Sequence, residues 1–298
     1  MSAGKAKPWL KVVGIGENGL EGLSPAPRQR VESAEILFGG KRHLEMIPGT
    51  QAKKIPWAKR MREAVTKILE WKGSNIVVLA SGDPMCYGIG TKLLRHLDVG
   101  EVEIFPALNS FSLACSRMGW SLPDVETMTI HGRPLVGILP RLYPRARLLV
   151  LTSDGNAPGQ VAELLTRAGF GAASMSVLAH IGGDEGTRLD GLAASWAHKD
   201  IPDFHILAVD CADCYAAAPG IVLPDTAFEN SGKLTKRDVR ADAVAKLAPF
   251  PGATLWDIGC GSGAIAIDFL RNAPRGNAHA IDRDPAQLKL AKRNAAAC

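Results

Sequence analysis

Through the first two hundred residues, short apolar runs alternate with segments whose apolar positions recur every three or four residues. "WLKVVGIG" (9–16), "AEILFGG" (34–40), "SNIVVLAS" (74–81), "EVEIFPA" (101–107), "ARLLVLTS" (146–153), "SMSVLAHIG" (174–182) and "FHILAVD" (204–210) have the length and bounding residues of strands. Between them, "SPAPRQRVESA" predicts a helix with Ser24 at its N-cap and Pro25 at its first position. "KRMREAVTKILEWKG" (59–73) and "PGQVAELLTRAGFG" (158–171) carry helical spacing and end in glycine. This alternation predicts an α/β architecture with largely parallel sheets.

The pattern breaks at 215–233, where "YAAAPGIVLPDTAFENSGK" is rich in Ala, Pro, Gly and Asp and reads as a linker. Helix, strand, glycine turn, helix and strand then follow in "KRDVRADAVAKLAPF" (236–250), "ATLWDIGCGSGAIAIDFLRNA" (253–273) and "AHAIDRD" (278–284). One αβαβ unit restarts here, and the chain stops at Cys298 after one more helix. A Rossmann-type sheet needs further strands, so 234–298 is expected to be the first part of such a domain.

Two glycine turns follow strands. Gly14, Gly16 and Gly19 form a G-x-G-x-x-G, the spacing of a dinucleotide-binding turn. That fingerprint also needs an acid about twenty residues on, at the tip of the next strand. The tip here is "FGGKRH", without a carboxylate, which argues against a nicotinamide or flavin. The second turn, Asp257-Ile-Gly259-Cys260-Gly261-Ser262-Gly263, does have its acid. Asp282 ends the next strand 19 residues after Gly263 and is placed to accept ribose hydroxyls.

Composition narrows the class. Of 298 residues 46% are hydrophobic and 22% charged, an ordinary globular balance. No apolar run of about 18 residues predicts a membrane span, and no signal-peptide stretch precedes the first strand, so a cytoplasmic address is expected. The net charge of +5 comes from short clusters not interleaved with aromatics, which favours a small anionic substrate over nucleic acid. Six cysteines include one C-x-x-C, Cys211 and Cys214, with no second ligand pair, so neither zinc nor a redox dithiol is expected. His205 reads as a packed strand residue, and Lys236, Arg237 and Arg240 as a solvated helix face. No nucleophile triad, metal cluster or paired carboxylates stand out.

The motifs carry a resemblance. D-x-G-x-G-x-G over 257–263, with Asp282, is similar to the first motif of class I S-adenosylmethionine-dependent methyltransferases. "VVGIGENG" (12–19) with "LASGDPMCYGIG" (79–90) resembles the tetrapyrrole (corrin/porphyrin) methylases, although their usual "GIGP" is "GIGEN" here. "GGKRHL" (39–44), "PALNSFSLACSRMGW" (106–120), "HGRP" (131–134) and "LPDTAFENSGKLTKRDVRA" (223–241), in this order, are similar to the two-part precorrin-6Y methyltransferases of cobalamin biosynthesis.

The resemblance implies a tetrapyrrole-methylase domain over 1–214, with subdomains of about 1–112 and 113–214 and a cofactor cleft between them. A class I methyltransferase domain then begins at 234. S-adenosyl-L-methionine is the implied cofactor. Its implied contacts are Gly14, Gly16, Gly19, Ser81, Gly82, Asp83, Tyr87, Asn109 and Ser110 in the first domain, and Thr235, Gly259, Cys260, Gly261, Ser262, Gly263 and Asp282 in the second. The implied reaction methylates C-5 and C-15 of a precorrin and removes the ring C acetate carboxyl. Methyl transfer from a sulfonium needs position and exclusion of water more than acid–base groups. A flat ring fringed with carboxylates calls for a basic rim, for which Arg42, His43, His131 and Arg133 are the candidates. Because the second domain reads as incomplete, C-5 methylation is expected and the C-15 steps are expected to be crippled. Partners are then a tetrapyrrole and other copies of the chain, not nucleic acid or membrane. The alternatives are the same fold acting on RNA or protein, or a remnant that binds the donor without turnover.

Overall fold

The computed structural model describes residues 8–57, 61–212, 214 and 222–298. The first unit runs β1 (Leu10–Ile15), α1 (Pro25–Glu32), β2 (Ile36–Gly39), α2 (Lys41–Glu45), β3 (Lys53–Pro56), α3 (Met61–Glu70), β4 (Ile76–Ser81), α4 (Ile89–Leu93) and β5 (Val102–Phe105). Its strands lie in the order β3-β2-β4-β1-β5, all parallel. Alternation along β1 and β4 divides the apolar side chains between two faces. Leu10, Val12, Ile76 and Val78 pack on one side, and Val13, Ile15, Val77 and Leu79 on the other. Burial on both faces is why these strands read as continuous apolar runs.

After α5 (Ser110–Met118) come β6 (Glu126–Thr129), β7 (Arg147–Leu151), α6 (Ala157–Arg167), β8 (Ser174–Ala179), β9 (Thr187–Leu192) and β10 (His205–Asp210). This second sheet has the order β6-β7-β10-β8-β9 and departs from the expectation of parallel strands. α6 does join two strands of the same direction, β7 and β8, but β10 inserts between them antiparallel to both. Strand–helix alternation fixes the direction of strands joined by a helix, not what enters between them.

Three strands had no sequence signal: β3, β6 and β9. All are edge strands with one side of the ladder open; β3 and β9 expose much of their side-chain surface, and β6 is short and half polar. Polar composition suits an edge and hides the strand from a reading based on apolar runs.

The third unit is α7 (Arg237–Leu247), β11 (Thr254–Ile258), α8 (Ala264–Asn272), β12 (Asn277–Ile281) and α9 (Pro285–Ala297), with β11 and β12 parallel. Of the expected linker, 215–221 lies outside the described residues. Its remainder is packed: Leu223 and Phe228 bury against Ala264 and Ile267 of α8. Among the described residues no helix is long and apolar enough to cross a membrane.

Candidate active site

In the first sheet the chain order reverses between β4 and β1, and ligands of open α/β sheets sit beyond the carboxyl ends of such strands. A cavity of about 1160 Å³ opens there. One wall comes from the turns after β1, β2 and β4, the other from the turns after β6, β7, β8 and the residues entering β10. A single drug-sized ligand occupies ~300–1,000 Å³, so this cleft has room for a macrocycle beside a second ligand.

Gly14 stands at the base of the cleft because only hydrogen fits there. A Cβ would lie 1.9 Å from the Gly82 carbonyl oxygen and 2.8 Å from the Ala107 nitrogen. The Gly82 N–H donates to the Ile15 carbonyl at 3.1 Å, locking the two glycine turns side by side. Of the residues expected at the cofactor, Gly16, Ser81, Gly82, Tyr87, Asn109 and Ser110 line the cavity. Gly14, Gly19 and Asp83 build its turns instead. The Gly19 N–H closes on the Gly16 carbonyl at 3.2 Å, and Asp83 Oδ1 accepts the Met85 N–H at 2.8 Å. Asn109 caps α5 by accepting the Ser112 N–H at 2.9 Å. Tyr87 takes φ +54° and packs edge-on to Phe111, with the Arg133 guanidinium 5.3 Å from its ring.

All four rim candidates also line the cavity. Arg42 lies over the Phe204 ring at 4.2 Å, and its Nη2 reaches Ser81 Oγ at 3.3 Å and His43 Nε2 at 3.1 Å. Burial lowers its pKa, opposed by the charge on Glu17, yet a guanidinium keeps its proton. Arg42 Nη1 and His43 Nδ1 are buried without a hydrogen-bond partner. Burial, then the adjoining guanidinium, push His43 down to about 4, so its ring is neutral at pH 7. His43 Nε2, 2.9 Å from Ser81 Oγ, faces the obligate donor Arg42 and is therefore the accepting nitrogen.

Three further residues line the cleft without having been assigned to it from the sequence. Glu17 crosses the cleft, with Oε1 2.8 Å from His180 Nδ1 and Oε2 accepting the Gly182 N–H at 3.0 Å. Phe204 is the platform under Arg42. His205 is a packed strand residue as expected, but it also lines the cavity. Its Nδ1 donates to the Pro202 carbonyl at 2.6 Å, leaving Nε2 to accept from Thr152 Oγ1 at 2.8 Å. Cys211 and Cys214 are buried in the core of the second sheet, and burial and the neighbouring thiol push Cys211 up to about 12.

The third unit holds the other expected set. Gly259 and Gly261 take φ +84° and +53°, and nothing stands within 4 Å of where a Cβ would be. The turn thus presents bare backbone to open space. Asp282 braces it, accepting the Gly261 N–H at 2.9 Å on one oxygen and the Asp284 N–H at 2.9 Å on the other. Those two backbone bonds hold its carboxylate below the usual range. An ionised Asp282 keeps free lone pairs for hydroxyls, so the cradle fits a ribose-bearing donor. Cys260 and Ser262 are buried, and the Ser262 carbonyl accepts the Asn294 side-chain amide at 2.9 Å. Thr235 is exposed, with its carbonyl bound by Arg240 Nη1 at 2.5 Å.

Arg240 corrects the expectation of a solvated face. Fully buried, it pairs with Asp268 at 2.8 Å and Asp225 at 2.6 Å, and donates to the Leu223 carbonyl at 2.6 Å. Asp268 in turn accepts the Leu223 N–H at 2.9 Å, so one ion pair ties the residues before α7 onto α8.

Residues 10–194 match the tetrapyrrole (corrin/porphyrin) methylases, and residues 226–298 match the precorrin methyltransferase domain. A Sinorhizobium protein named precorrin-6Y C(5,15)-methyltransferase [decarboxylating] is 39% identical over 295 residues, covering 97% of this chain and 71% of that protein. A Salmonella typhimurium protein named cobalt-precorrin-7 C(5)-methyltransferase is 31% identical over 162 residues, 54% of this chain and 80% of its own. The crystal structure of a cobalamin biosynthesis precorrin-6Y methylase from Archaeoglobus fulgidus shares the fold. Its TM-score is 0.52 at 22% identity, over 67% of this chain and 96% of that one. With two glycine turns at the switch point, a cleft between two α/β subdomains and a third glycine turn with its acid, the chain belongs to the tetrapyrrole methylases, in the precorrin-6Y C(5,15)-methyltransferase family.

Proposed function

We propose that the cleft between the two sheets is where C-5 of a precorrin receives a methyl group from S-adenosylmethionine. The domain that begins at 234 serves, when complete, C-15 methylation with loss of the ring C acetate carboxyl. The relative named for C-5 methylation alone matches 54% of this chain, which supports giving that step to the first domain. A separate precorrin methyltransferase domain match over 226–298 supports giving the other steps to the second.

The observation that carries the reading is Arg42. A half-buried guanidinium stacked on an aromatic ring, with Nη1 lacking any partner, is a receptor waiting for an anion. Precorrin carboxylates supply that anion, and the apolar surfaces of Phe204 and Tyr87 suit the flat ring.

When bound, S-adenosylmethionine brings a methyl group that is already activated. The bare turns at Gly16 and Gly82 let a ligand approach the backbone, and Ser81, fixed by Arg42 and His43, offers a hydroxyl beside it. Arg42 and Arg133 would hold the carboxylate fringe and so orient the ring for a transfer that requires reacting atoms to approach to ~3–3.5 Å. His43 and His205, their pKa values lowered by burial, add no positive charge to the cleft, and their accepting nitrogens are taken by Arg42 and Thr152.

The test is incubation with methyl-labelled S-adenosylmethionine and precorrin-6Y, followed by mass spectrometry and carbon NMR of the pigment. Label at C-5 supports the reading. Saturable donor binding with no label on the ring overturns it.

A further inference from the structure

We propose that Glu17 is a positioning residue: a strut that braces the first glycine turn against the second subdomain and sets the spacing of the two cleft walls. The inference rests on the functional reading above and extends it to a residue that no motif singles out. Glu17 leaves the turn after β1 and bonds twice to the turn after β8, at His180 Nδ1 (2.8 Å) and the Gly182 N–H (3.0 Å). Its side chain is only 15% exposed and that of His180 37%, so these bonds are partly shielded from water and screening. A carboxylate accepting two hydrogen bonds in fixed directions is charge-assisted and geometrically definite, unlike a surface ion pair.

The strut continues. His180 is held at φ +50°, a region unfavourable for most side chains, and its ring lies 5.7 Å from Phe204. Phe204 carries the Arg42 guanidinium at 4.2 Å, and Arg42 reaches Ser81 at 3.3 Å. One path of contacts therefore runs from the first glycine turn, across the cleft, to the cation expected to hold substrate and back to the second glycine turn. The walls belong to two different sheets, so neither ladder of backbone bonds fixes their separation.

Transfer between two bound molecules is sensitive to such spacing, since a misplacement of 1 Å can cost about a hundredfold. Glu17→Ala should leave the protein folded and make the Gly182 amide exchange at least ~10-fold faster in the ligand-free protein. It should lower kcat about 30- to 100-fold while the KM for precorrin changes less than about threefold. Glu17→Gln can still accept the Gly182 N–H and bond His180, and should stay within about threefold of wild type on each measure. His180→Asn tolerates the left-handed backbone and removes one arm, and should lower kcat about 10-fold even if the alanine variant fails to fold.

The strut is refuted if Glu17→Ala leaves Gly182 exchange and kcat within twofold, or if Glu17→Gln is as damaged as alanine. Titration with S-adenosylhomocysteine by calorimetry separates the two readings. Wild-type protein that does not bind it sinks the donor site, whereas the exchange experiment still judges the strut.

Discussion

Gly14 and Gly82 meet so closely that a β-carbon on Gly14 would lie 1.9 Å from the Gly82 carbonyl oxygen. The obstacle is backbone, held in turn by the bond from Gly82 to Ile15, so no side-chain rotation relieves it. Gly14→Ala should destabilise the first unit by about 1–3 kcal/mol through overpacking and open the floor of the cleft. Urea unfolding gives the first number and S-adenosylhomocysteine titration the second. An alanine variant with unchanged stability and donor affinity would show that the two turns are free to part.

Arg42 is the second prediction. Its guanidinium is held over Phe204 and by Ser81, while Nη1 has no partner. A hydrogen bond to a charged group contributes about 1.5–3 kcal/mol, so Arg42→Ala should raise the precorrin KM roughly 10- to 150-fold. Arg42→Lys keeps the charge but loses the planar fork and the stacking, and should fall between. Steady-state kinetics at two salt concentrations check this. An unchanged KM in the alanine variant would remove Arg42 from the substrate rim.

Stability should depend on pH through His43. Its ordinary value of 6.5 falls to about 4 in the folded chain, so the unfolded state binds the proton more readily between those values. Stability from this group is complete above pH 6.5, declines as pH falls, and is gone below about 4. The residue is 9% exposed, and the shift corresponds to a contribution of about 3 kcal/mol. His205, also lowered by burial, adds a slope of the same sign. Urea midpoints from pH 4 to 7 should rise steeply for wild type and less for His43→Asn. Parallel curves for the two would contradict the assignment.

How much of this was legible in the sequence follows from what each residue contacts. Central strands such as β1 and β4 are buried on both faces and announce themselves as apolar runs. Glycine turns are legible because a neighbouring backbone excludes a side chain, as at Gly14, or because the turn needs a left-handed φ, as at Gly261. The edge strands β3, β6 and β9 are polar for the same physical reason that they are edges. Glu17 was hidden because its partners, His180 and Gly182, are more than 160 residues away, and nothing local marks a carboxylate as bridging. Arg240 looked like one basic residue among several at a helix start. Only the fold brings Asp268 and Asp225 around it.

That pair makes the last prediction. Arg240 and Asp268 are both fully buried, 2.8 Å apart, and between them they bind both backbone groups of Leu223. Removing one partner of such a pair costs about 3–5 kcal/mol, because the other charge is left desolvated and alone. Arg240→Met should therefore destabilise the third unit by that amount and speed amide exchange over 223–228 and α8. Exchange in β1 and β4 and donor affinity at the first cleft should stay as in wild type, since those residues pack in other cores. Replacing both members, Arg240→Met with Asp268→Leu, should recover much of the loss if the isolated carboxylate is its cause. A double variant as unstable as the sum of the singles would instead assign the cost to the lost backbone bonds at Leu223.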